Sequence, residues 1–185
     1  MRHIKFYSNI KIRIFGLALV LFGFQSHAQL SIGTTAPLFT ASAALAGKEF
    51  TFSLSKSLSE GPVVVYFYPK AFTTGCTIEA NLFAEAMDKF KLYGATVIGV
   101  SADDLGTLLK FSTGPCGGKF AVASDLDSKI MQSYGAAHKV RPNMADRISF
   151  VITPDQKVLF VISSMNPEEH VEKSLKALQT WRTNK

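Results

Sequence analysis

Residues 63–76 read VVVYFYPKAFTTGC, an unbroken apolar run that stops at a proline and is followed by threonines, a glycine and a cysteine. Val63 to Tyr68 is β-branched or aromatic throughout, which suits a strand covered on both faces. Past Pro69 the period changes. Ile78, Leu82, Ala86 and Phe90 recur every four residues, the spacing of one helix face, and Gly94 stands where such a helix should end. Ala95 to Val100, ATVIGV, is a second strand-like run. The segment predicts a strand, helix, strand unit with Cys76 in the first turn of its helix.

Working outward, Asp103 to Phe111 reads as another helix, Phe120 to Ser124 as a short strand, and Asp127 to Tyr134 as a helix stopped by Gly135. Arg147 to Thr153 and Lys157 to Ser163 flank Pro154-Asp155-Gln156 and predict a hairpin. In the last helix Asn166 can cap, Pro167 suits the first position, and Val171, Leu175, Leu178 and Trp181 form one apolar stripe. No repeat or linker divides the chain. A strand, helix, strand unit followed by a hairpin and a closing helix predicts an α/β, thioredoxin-like fold: a mixed central sheet with helices on both faces.

The N-terminus reads differently. Arg2, Lys5, Lys11 and Arg13 precede an apolar run from Ile14 to Phe24 and then Ser26-His27-Ala28, the three parts of a secretory signal peptide. The run is shorter than the roughly 20 residues of a spanning helix. Residues 1–28 are therefore expected to be removed, leaving a single exported domain over residues 29–185, periplasmic or secreted and off the membrane after cleavage; the alternative is an uncleaved membrane anchor, since the stretch turns apolar as early as Ile10 or Ile12. The leader holds 4 of the 20 basic residues and none of the 14 acidic ones, so the remainder is close to neutral. Nucleic acid is excluded as a partner, because phosphate binding needs clustered Lys and Arg.

Cys76 and Cys116 are the two cysteines of the sequence. In an oxidising compartment such a pair can be a structural disulfide, and composition alone does not choose between that and chemistry. Pro69, Thr73 and Cys76 are spaced P-x-x-x-T-x-x-C directly after a strand and at the start of a helix. With IGTTAPLF at 32–39, VIGVSAD at 97–103 and RISFVIT at 147–153, this pattern resembles the peroxiredoxin family, most of all its bacterioferritin comigratory protein (PrxQ) branch.

The resemblance implies a cysteine-dependent peroxidase for hydrogen peroxide and organic hydroperoxides, with no metal, haem or flavin. Cys76 would be the attacking thiolate, favoured by the unpaired N–H groups and dipole of a helix N-terminus. Arg147 matches the guanidinium that approaches the sulfur in the family, with Arg141 a nearby competitor for that role. Thr73 would hydrogen-bond the same centre and Pro69 would shield it from water and overoxidation, although either residue could simply end a strand or cap a helix. Glu79 matches an acidic position of the family, and equally suits a helix's first turn.

Attack would leave a sulfenic acid that another thiol must resolve. Many members of the branch carry that thiol five residues on, where this chain has Asn81. Cys116, in the glycine-rich STGPCGG of residues 112–118, is then the candidate resolving cysteine, against a permanent bond with Cys76 or a bystander thiol. The partners implied are a peroxide and a thioredoxin-like or other thiol reductant, with the protein a monomer or weak homodimer. Two other readings are an exported thiol–disulfide oxidoreductase, which normally needs Cys-x-x-Cys where this chain has Thr73, and a non-catalytic binding or chaperone module with a structural disulfide.

Overall fold

The computed structural model describes residues 28–184, so residues 1–27 of the predicted leader lie outside the described residues. Among the described residues seven strands form one mixed sheet: β1 (Thr40–Leu45), β2 (Lys48–Ser53), β3 (Val63–Phe67), β4 (Thr96–Ser101), β5 (Ala121–Ser124), β6 (Ile148–Ile152) and β7 (Val158–Ser163), ordered β2-β1-β5-β4-β3-β6-β7. β3, β4 and β5 run parallel, and the remaining neighbours pair antiparallel. Five helices complete the described residues: α1 (Leu54–Glu60), α2 (Thr74–Leu92), α3 (Leu105–Thr113), α4 (Lys129–Ser133) and α5 (Pro167–Thr183). None of the helices among the described residues is long and apolar enough to cross a membrane.

The alternation of β3 explains the layering. Val64 and Tyr66 enter a core with Phe83 and Phe90 of α2, Phe111 of α3 and Leu178 of α5, while Val63, Val65 and Phe67 enter a second core with Leu54 of α1 and Met131 of α4. A strand buried on both faces needs apolar side chains at every position, which is what VVVYF supplies. This is the thioredoxin-like arrangement read from the order of elements.

β3 stands at the centre with Tyr66 opposite Gly99 of β4. The Tyr66 ring stacks on Phe83 at a centroid distance of 4.4 Å and lies across Gly99, where a β-carbon would come within 2.7 Å of Cζ. Glycine there is a requirement of space.

Three features differ from the sequence reading. The β1–β2 hairpin and α1 are formed by TASAALAGKEFTFS and LSKSLSE, where small and polar residues hide the strand period. Their turn, Ala46-Gly47, takes positive φ at both residues, as a tight hairpin requires. In α2 the buried face carries Cys76, Glu79, Ala80, Phe83, Met87 and Phe90, and Ile78 is exposed. The helix is rotated from the predicted stripe because it must cover both the sheet and α5.

Candidate active site

β3 ends at Phe67 and the chain turns through Pro69 to Thr73 before α2 begins. Asp103, just beyond β4, secures this turn: its Oδ2 accepts from the Ala71 N–H at 2.7 Å and from the Ser101 hydroxyl at 2.8 Å. Phe72 takes a φ of 63°, uncommon outside glycine, and its ring meets Phe111 of α3 edge-on at a centroid distance of 5.1 Å. The turn is thus tied both to the end of β4 and to the third helix.

Cys76 sits in the first turn of α2, 1% exposed, where unpaired helix N–H groups favour negative charge. Arg147, next before β6, projects to the same face of the sheet as Ser149 and Val151. Its Nη2 donates to the sulfur at 3.4 Å, and its Nη1 forms a salt bridge with Glu79. Gly75 permits this approach, since a β-carbon there would stand 3.1 Å from Nη2. Arg141, the competing candidate, is exposed and lines a neighbouring cleft with Pro69, Phe72 and Asp103.

Electrostatics tie these groups together. Burial pushes the Glu79 carboxyl upward, and the Arg147 guanidinium bonded to it pulls it back down and favours the carboxylate. Burial alone would lower Arg147, but Glu79 and Cys76 outweigh it and hold its proton more firmly. A permanent cation is therefore held against a thiol in the apolar interior, where charge interactions are strong.

Thr73 precedes α2 without capping it through its side chain, and its hydroxyl donates to the Lys70 carbonyl at 2.9 Å. The hydrogen bond that the sequence reading assigned to the sulfur centre is thus spent within the turn. The oxygen's lone pairs remain for an incoming donor. Asn81, in place of a local second thiol, is exposed.

Cys116 is fully buried, in the same core cluster as Cys76, and both cysteines are free thiols. Burial pushes the Cys116 thiol up to about 12. Its loop continues from α3 with Gly117 and Gly118 at φ of 57° and 68°, and Gly118 N–H donates to the Ser112 carbonyl at 2.8 Å. The β1–β2 turn lies over it: Gly47 N–H donates to Ser112 Oγ at 2.9 Å. No group of three or more His, Cys, Asp or Glu residues that could hold a metal occurs among the described residues.

Sequence reasoning missed Gly75, Asp103, Ser149 and His170, the last two lying behind Glu79. The signal available for His170 was a polar residue beside Val171 on the buried side of an amphipathic helix.

The AhpC/TSA family model matches residues 32–161 of the chain. Peroxiredoxin Q, chloroplastic, of Populus jackii is 35% identical over 131 residues, 70% of this chain; the match spans 61% of the Populus protein. Peroxiredoxin Q, chloroplastic, of Sedum lineare is 33% identical over 157 residues, covering 84% of this chain and 81% of its own. Among solved structures, peroxidoxin BcpB of Mycobacterium tuberculosis superposes with a TM-score of 0.75 at 31% identity, covering 82% of this chain and 98% of that one.

Proposed function

The chain belongs to the AhpC/TSA family, a family of peroxiredoxins, and from that premise we propose that it is a thiol peroxidase in which Cys76 attacks the peroxide. The observation that carries this reading is the buried Cys76 sulfur in a helix's first turn, 3.4 Å from the Nη2 of an arginine fixed by Glu79. The thiolate attacks one peroxide oxygen as the O–O bond breaks, giving a Cys76 sulfenic acid and releasing the other oxygen as water or an alcohol once it gains a proton. The Arg147 guanidinium stabilises negative charge on the sulfur before the attack and on the leaving oxygen during it. To Pro69 and Thr73, in the turn that leads into α2, we assign the shielding of the sulfur and, through the free lone pairs of the Thr73 hydroxyl, acceptance from the peroxide.

Cys116 then condenses with the sulfenic acid, releasing water and forming a disulfide. An external dithiol returns both cysteines to thiols and supplies the two electrons consumed. The shared core cluster and the Phe72–Phe111 contact between the Cys76 turn and α3 support this pairing. The basic and apolar pattern of residues 1–28 supports export, with an electron donor outside the cytoplasm.

Cys76→Ser should lose peroxide consumption measured with a dithiol reductant, and a variant retaining it would overturn the assignment. Mass spectrometry after one equivalent of peroxide should find Cys76 joined to Cys116. A lasting sulfenic acid would instead place the reaction with an external thiol.

A further inference from the structure

The polar contacts that begin at Cys76 do not stop at Glu79. On the far side of that carboxylate stands His170 of α5, with Nδ1 3.7 Å from Glu79 Oε1. Glu79, Ser149 and His170 are all fully buried. Polar groups withdrawn from water cost free energy unless each is partnered, and apolar side chains could fill the same space.

One hydrogen bond fixes where that ring carries a proton. Its Nε2 lies 2.9 Å from the Ser164 carbonyl oxygen, which can only accept, so Nε2 carries the proton. Nδ1 lies 2.8 Å from the Ser149 hydroxyl and, in the neutral ring, accepts from it. Burial, with Arg147 adding to it, holds the imidazole below its usual range and so favours the neutral form. The charged groups around the ring are Glu79 from α2, Arg147 ahead of β6, and Glu169 and Lys173 of its own helix, which pair with each other at 2.8 Å.

A neutral imidazole in this tautomer has no proton to give Glu79. Oε1 of Glu79 has no hydrogen-bond partner among the described residues, and the carboxylate is bonded through Oε2 to Arg147. The geometry points to His170 as a positioning residue for Cys76: locked by Ser149 and Ser164, it withholds a donor from Glu79, so that the carboxylate holds Arg147 undivided with Nη2 on the sulfur. This rests on Cys76 being the reacting thiol. A second donor on Glu79 would weaken its hold on the guanidinium and let the cation drift from the sulfur.

His170→Gln supplies such a donor without adding charge. In the folded variant, alkylation of Cys76 by iodoacetamide should shift to higher pH, and its reaction with hydrogen peroxide should slow by about tenfold, the scale of one charge-assisted hydrogen bond. A folded variant with an unchanged or faster profile overturns the inference. Nitrogen NMR of the unsubstituted protein provides a test that needs no variant. His170 should be neutral with its proton on Nε2 at pH 7 to 8, and a proton on Nδ1 in that range overturns the proposal. If the unsubstituted protein consumes no peroxide, the peroxidase reading fails, while the alkylation profile and the tautomer still decide the role of His170.

Discussion

Gly75 leaves the space that Arg147 occupies: a β-carbon on residue 75 would stand 3.1 Å from the guanidinium Nη2 that touches Cys76. Gly75→Ala should therefore separate activity from stability. Alanine favours a helix over glycine by up to about 1 kcal/mol, so the melting temperature should hold or rise. The guanidinium must give by a few tenths of an ångström, and the rate of Cys76 with peroxide should fall by about tenfold. Stopped-flow kinetics and thermal unfolding of one preparation check both halves.

Arg147→Met keeps an unbranched apolar stem and removes the charge and the donors of the side chain. The peroxide reaction should slow by roughly 10²–10³, the loss typical of removing a donor aimed at developing charge. Arg147→Lys should recover only part of that rate, because an ammonium cannot offer the two-pronged geometry that spans Glu79 and the sulfur. Second-order rate constants of the two variants measure the difference.

Cys116, fully buried and with its thiol pushed up to about 12, should react at pH 8 at least about a hundredfold more slowly than Cys76 with iodoacetamide. Ser112→Ala removes the acceptor that ties the β1–β2 turn to the Cys116 loop. Loss of about 1 kcal/mol there should raise Cys116 labelling by about fivefold, readable by mass spectrometry.

His170 is held below its ordinary value of 6.5 by burial, so the neutral ring contributes stability that is present above pH 6.5 and lost as pH falls through the lower folded value. The stability of the unsubstituted protein relative to His170→Gln should therefore be greatest above pH 6.5 and shrink on acidification. Urea midpoints at pH 7.5 and 5.5 give the comparison.

Much of this was legible in the sequence because period and punctuation coincided. VVVYFY, Pro69 and the apolar spacing up to Gly94 each imply the next element, and the proline-led α5 is capped by Asn166 as expected. The β1–β2 hairpin was hidden because TASAAL has little hydrophobic contrast between alternate residues. At the site, Cys76 and Arg147 came from a motif and its resemblance to a family, and the structure sets Arg147 on the sulfur with Arg141 at the surface. His170 and Ser149 carry no local signal of comparable strength. Their meaning arises where α5 crosses α2 and β6, a tertiary fact. Thr73 shows the opposite limit, since a motif residue can still spend its hydroxyl proton on its own turn.

The ring of Tyr66 lying across Gly99 joins two positions in evolutionary terms. Any side chain at 99 would collide with that ring, and any smaller residue at 66 would leave a void against Phe83. Neither position can drift alone. Homologues that acquire an alanine or serine at the β4 position should carry a smaller side chain at its β3 partner, and the correlation should persist in lineages whose peroxide chemistry has been lost.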